Sequence, residues 1–380
     1  MITARQPIKT LKDLRAHLQY AIGLELTTVP AYLCALYSIN PGANSAASEA
    51  IQSVVLEEML HMALAANVLN AIGGTPSTAP VNGGPSPVPV YPARVPYIKG
   101  IPKIHLQAFS PDALRVFIKI EHPAGPDPPE PGEQYASIGA FYKAIKDGLQ
   151  DLCTSKDFED ARKRGHCQLS SADYYGGAGK LIEVTDVDTA RAALTEIVRE
   201  GEGLPAKALE QTARAHMRSG THTPGRRAGL SPYNLDDDGD LVVDADELPY
   251  GWKMYSHFAR FKEIQAGRRY RPDQKVRAKP AGDILPTDWD AVRPMTTNLK
   301  AKNYHHTSAY KPMMACNETY TALVNATYRG FNGQTDGLAD AVGLMYKLKY
   351  QAGALFNTPS PFEPGRTLGP AFEYLTDPLR

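Results

Sequence analysis

Cysteine is scarce in this chain: Cys34, Cys153, Cys167 and Cys316 are scattered through 380 residues and form no CxxC pair. That spacing argues against a disulfide framework and a thiolate zinc site, and it predicts buried, unpaired thiols. A charge excess is missing too, since 41 basic and 41 acidic residues balance. No large field therefore points to nucleic acid or to an anionic membrane. No run of about 18 apolar residues reads as a bilayer span. The first ten residues, MITARQPIKT, lack the basic start and apolar core of a secretory signal. These absences predict a cytoplasmic protein with no nucleic-acid or membrane partner. The glycine-rich segment from Tyr174 to Lys180 lacks the first glycine and the Ser or Thr of a phosphate-binding loop. The adjacent pair His305-His306 reads as a surface loop.

What the chain does have is helical periodicity in long stretches. Hydrophobic residues make up 43% and charged residues 22%, an ordinary globular balance. Leu11, Leu14, Leu18, Ile22, Leu26, Val29, Leu33 and Leu36 predict one helix from Leu11 to about Ser38, which Pro30 should kink. A second runs from Ser45 to Ile72, stopped by Gly73 and Gly74, and the short loop between them makes an antiparallel hairpin. Residues 74–104 hold eight prolines, too many for a helix or a central strand, so an extended crossover is expected there. Ser110-Pro111-Asp112 joins an N-cap, a proline at the first helical position and an acid, opening a short helix through Ile120. Periodicity returns at 137–152 and 188–199, the expected third and fourth bundle helices, and at 252–264, 313–328 and 336–355.

In the second helix Glu58 and His61 stand at i and i+3, on one face. Carboxylate oxygen with imidazole nitrogen suits iron, manganese or zinc. A lone Glu-x-x-His is common on surface helices. Here Val54, Val55, Leu56, Met59, Leu60, Met62, Leu64 and Val68 make the segment apolar nearly all round. A buried carboxylate is costly unless a cation or a metal compensates it. Glu57, four residues before His61, is an alternative ligand, and a metal-free buried ion pair is the alternative role. Glu25 interrupts the apolar run of the first helix and supplies a matching inward acid if that helix is fully covered.

The stretches LELTTVPAYLCALYSI, VVLEEMLHMALAANVLNAIGGTP, IEHP, SIGAFYKAI, IVREGEG and SHFARFKEI follow one another within residues 8–266. In their content and order the chain resembles the ferritin-like domain related to violacein-type iminophenyl-pyruvate dimer synthases. The resemblance implies an all-α, ferritin-like four-helix bundle over residues 1–270, with long proline-rich crossover loops. Residues 271–380 are expected as a helical C-terminal extension packed on it. A metal site of Glu25, Glu58, His61, Glu202 and His257 is implied, with Glu200 replacing Glu202 if the register around Gly201 differs. The implied cofactor is iron, di-iron or mononuclear, with manganese as the other candidate. One position departs from the family, which tends to place an acid three residues before the last histidine; Met254 stands there. A thioether is a poor ligand for a hard metal, so the choice between one metal and two stays open.

The function implied is a non-haem metal oxidoreductase or oxidative coupling enzyme acting on a small amino-acid-derived substrate in natural-product-type metabolism. Its rivals are a metal storage or sensing protein and a non-catalytic partner subunit with a degenerate site. A homo-oligomer is left open. Separately, Asn234 to Leu241 alternates oxygen side chains around Gly239, as the first half of a calcium loop does, with Asp236, Asp238 and Asp240 as candidate ligands. Position twelve falls on Ala245 rather than a bidentate Glu, and a solvated acidic loop is the alternative.

Overall fold

Thr10 and Asp13 start the first helix by satisfying each other's backbone donors: the Thr10 hydroxyl accepts from Asp13 N at 3.1 Å, and the Asp13 carboxylate accepts from Thr10 N at 3.0 Å. The computed structural model describes residues 8–80, 86–95, 97–123, 134–174, 179, 181–201, 256–271 and 278–376. Among these, regular structure is helical, with isolated β-bridges and no strand. Helix α1 (Leu11–Ser38) remains one element through Pro30. The hydroxyls of Thr27 and Thr28 bond back to the carbonyls of Gly23 and Glu25 in the turn before that proline. Residues 39–44 turn the chain back, with Gly42 at φ 80° and Asn44 at φ 47°, into α2 (Ser45–Ala71). By length and mean hydropathy (1.2) α2 would qualify as a membrane span, contrary to the sequence reading. However, 89% of that window is buried within the protein, which makes α2 a core helix.

Around this hairpin pack α3 (Pro111–Ile120), α4 (Ile138–Leu152), α5 (Ser155–Lys163), α6 (Val187–Gly201) and α7 (His257–Ala266). Ser110 and Ser137 cap α3 and α4 by accepting from Ala113 N and Ala140 N. The expected third and fourth bundle helices, α4 and α6, pack on each other, α4 against α1 and α6 against α2. The pair α3 and α7 joins them, with α7 packed on α2. Helix α5 has no counterpart in the sequence reading: it buries only Phe158 and Ala161, too few to make a stripe.

The crossover after Gly74 lies along α1. Gly23 is needed there, since a Cβ on it would sit 2.8 Å from the Pro87 carbonyl oxygen, and the Tyr91 hydroxyl donates to Thr27 O at 2.8 Å. Helices α8 (Tyr310–Phe331) and α9 (Asp336–Phe356) form a second hairpin, α8 touching α2 and α9 touching α1. Asn70 Nδ2 donates to Phe331 O at 2.6 Å, and Asn332 Nδ2 to Pro76 O at 2.9 Å. All four cysteines are free, and Cys34, Cys153 and Cys316 are buried.

Candidate metal centre

Because α1 and α2 are covered on nearly all sides, acids on them that would otherwise meet water point into protein. Glu25, Glu57, Glu58 and His61 are all buried. Three further elements add to them: Glu121 caps the C-terminus of α3, Glu200 lies in the last turn of α6, and His257 opens α7 behind the N-cap Ser256. Two sets of donor atoms result, Glu25–Glu58–His61 and Glu58–Glu121–His257, each lying within 4.8 Å of one another. Glu58 belongs to both.

The ring nitrogens fix the orientation. His61 Nε2 lies 2.9 Å from Glu200 Oε2, which turns Nδ1 toward Glu58 Oε2 (3.6 Å) and Glu25 Oε2 (4.0 Å). His257 Nε2 lies 2.8 Å from Glu57 Oε2, which turns its Nδ1 toward Glu58 Oε1 (3.2 Å) and Glu121 Oε2 (3.5 Å). Glu58 thus offers one oxygen to each histidine, and the two rings stack at 5.4 Å. The outer carboxylates are held by tyrosines: Tyr142 donates to Glu25 Oε1, and Tyr32 donates to Glu121 Oε1 at 2.5 Å.

Among the described residues, five carboxylates (Glu25, Glu57, Glu58, Glu121 and Glu200) surround one permanent cation, the fully buried Arg260, which grips Glu57. Burial, then the neighbouring charge of Glu58, holds Glu25 and Glu121 above the usual carboxylate range. Burial opposes charge on Glu58 as well, but the neighbouring imidazoles of His257 and His61 outweigh it and hold that group low. Burial works against charge on His61 too, yet Glu200 and Glu58 push it up to about 10. Glu58 Oε2 and His257 Nδ1 are buried with no hydrogen-bond partner among the described residues. Unpaired polar atoms of this kind carry a desolvation cost that a cation bound between them would remove. Carboxylate oxygen and imidazole nitrogen fit iron, manganese or zinc.

Of the residues implied from sequence, Glu25, Glu58, His61 and His257 come together here. Glu202, Met254 and the calcium candidates Asp236, Asp238 and Asp240 lie outside the described residues. Glu57 is not a stand-in for Glu58; it sits behind His257. Glu200, the alternative to Glu202, sits behind His61. Glu121 was missed, although it follows Leu114 and Phe117 on the buried stripe of α3, the signal that singled out Glu25.

A family model described as Ferritin-like matches residues 18–222. Among solved structures, the crystal structure of a ferritin like protein from Caulobacter vibrioides superposes with a TM-score of 0.57 at 21% identity, covering 97% of this chain and 100% of that one. At that identity the likeness speaks for the fold alone. No curated protein matches.

Proposed function

The chain belongs to the Ferritin-like family, and from that premise we propose that it is a non-haem, iron-dependent oxidoreductase or oxidative coupling enzyme. Its substrate would be a small amino-acid-derived molecule in natural-product-type metabolism, and its compartment the cytoplasm. The observation that carries the proposal is the pair of buried donor sets sharing Glu58, with Glu58 Oε2 and His257 Nδ1 lacking a hydrogen-bond partner among the described residues. Glu25, Glu58 and His61 would hold one ion, and Glu58, Glu121 and His257 a second. A bound iron pair would supply the electrons for dioxygen chemistry. The protein's own part is orientation. Glu200 and Glu57 accept from the outer ring nitrogens and so keep both Nδ1 lone pairs aimed inward. Tyr142 and Tyr32 fix the outer carboxylates and shield them from water.

The resemblance to violacein-type iminophenyl-pyruvate dimer synthases favours imines of aromatic 2-oxo acids as substrates. Dioxygen uptake by ferrous-loaded protein, with and without such an imine, tests the reading. Faster uptake with the imine is expected; metal-loaded protein that consumes no dioxygen under either condition would instead favour the storage, sensing or partner-subunit roles.

A further inference from the structure

The two halves of the cluster match residue for residue. Each has an outer carboxylate held by a tyrosine (Glu25 by Tyr142, Glu121 by Tyr32), an imidazole backed by a carboxylate (His61 by Glu200, His257 by Glu57), and a share of Glu58. Behind the histidines the match ends. Arg260, fully buried on the turn after His257, places Nη2 2.9 Å from Glu57 Oε1 and Nη1 2.9 Å from Glu57 Oε2, and also donates to Ser53 Oγ. Among the described residues no lysine or arginine pairs with Glu200, whose ion-pair partner is His61. Arg199 on the same helix pairs with Glu196 instead.

That difference acts directly on the two imidazoles. A ring whose N–H donates to a carboxylate bearing its full charge is a stronger electron donor at its other nitrogen. Where a guanidinium shares the carboxylate, the charge is divided, and the ring gains less. Arg260 also adds a fixed positive charge on the His257 side, in an interior where charges are poorly screened.

We infer that the two metal positions are unequal because of Arg260: the position at Glu25, Glu58 and His61 takes a divalent cation more tightly than the one at Glu58, Glu121 and His257. The inference rests on the metal-site reading above and adds Arg260 and Glu200 to it as positioning residues. It makes the first ion a resident of the His61 side and the second an exchangeable ion on the His257 side.

Anaerobic titration of the full-length metal-free protein with Co(II), followed by calorimetry and by the visible absorption of the bound ion, tests this. His257→Ala should keep the affinity of the tighter wild-type step, and His61→Ala should bind at least about ten-fold more weakly, the scale of outer carboxylate effects on metal affinity. Equal affinities, or the reverse order, would overturn the inference while leaving the metal site standing. A wild type that binds no cobalt overturns the metal-site reading itself, and this inference with it. Glu200→Gln keeps the hydrogen bond and removes the charge, so it should weaken the tighter step about ten-fold and spare the weaker one; losing the weaker step instead would also refute it. Arg260→Met should narrow the gap between the two steps and Arg260→Lys should preserve it, and an unchanged gap in Arg260→Met would remove Arg260 from the account.

Discussion

Lowering the pH should loosen the contact between α1 and α4 before it reaches the metal centre, through His17. This residue is fully buried on α1. Its Nδ1–H donates to Asp13 O at 2.7 Å, and its Nε2 accepts from the Tyr135 hydroxyl at 2.8 Å. Phe141, next to the Tyr142 that holds Glu25, stacks on the ring. A proton on Nε2 would face the Tyr135 hydroxyl and lose its water. Burial accordingly lowers the pKa from 6.5 to about 4, against the opposing hydrogen bond to the Asp13 backbone and the Asp13 charge. The unfolded chain therefore takes the proton first as pH falls. Stability is full above pH 6.5 and is lost progressively from there towards pH 4. With those two pKa values, moving from pH 7.5 to pH 5 costs the folded state about 2 kcal/mol at this one residue. Urea unfolding of metal-free wild type and His17→Gln at both pH values isolates the term, since glutamine can hydrogen-bond but does not titrate. The wild type should lose about 2 kcal/mol more than the variant over that interval. Equal losses would mean that His17 takes up its proton as readily in the folded protein as in the unfolded chain, and the assigned hydrogen-bond directions would be wrong.

Tyr142→Phe leaves Glu25 Oε1 without its donor in a buried site, so metal-free protein should lose about 1–3 kcal/mol in denaturant unfolding. The loss should shrink once metal is bound, and a loss of the same size in loaded protein would place Glu25 outside the metal site. Gly23→Ala drives a Cβ to within 2.8 Å of the Pro87 carbonyl oxygen, which should cost about 1–3 kcal/mol and lift the proline-rich crossover off α1. Limited proteolysis should then cut within residues 74–104 faster than in wild type; an unchanged digestion pattern would show that the crossover is not held there.

Much of this architecture can be read from the chain because its punctuation is strong. The ends of α1 and α2 fall where Thr10, the turn at Asn40-Pro41-Gly42 and Gly73-Gly74 put them, and Ser110-Pro111 marks α3. Helix α5 escaped because its capping box at Thr154 and Asp157 opens a mostly charged segment without a stripe. In the site, Glu25 and Glu58 were visible as acids on apolar helices. Glu121 carries the same mark, but it sits at the very end of a ten-residue helix, where an acid also suits a solvated cap. The division of labour between Glu57 and Glu58 could not be read from spacing. Both neighbour His61 in sequence, and what separates them is a partner of Glu57 that lies 200 residues away, His257. Arg260 was hidden for the same reason: a charged residue in a short amphipathic helix looks solvent-facing until its partner is known.

The central claim is that the shared carboxylate cluster holds metal, and elemental analysis of tag-free protein after anaerobic ferrous reconstitution tests it most directly. About two ions per chain are expected, one for each donor set. Glu58→Ala, which takes the shared ligand from both sets, should lose most of that metal while keeping its helical circular dichroism spectrum. Wild-type protein retaining well under half an equivalent, or Glu58→Ala binding as much as wild type, would contradict the account.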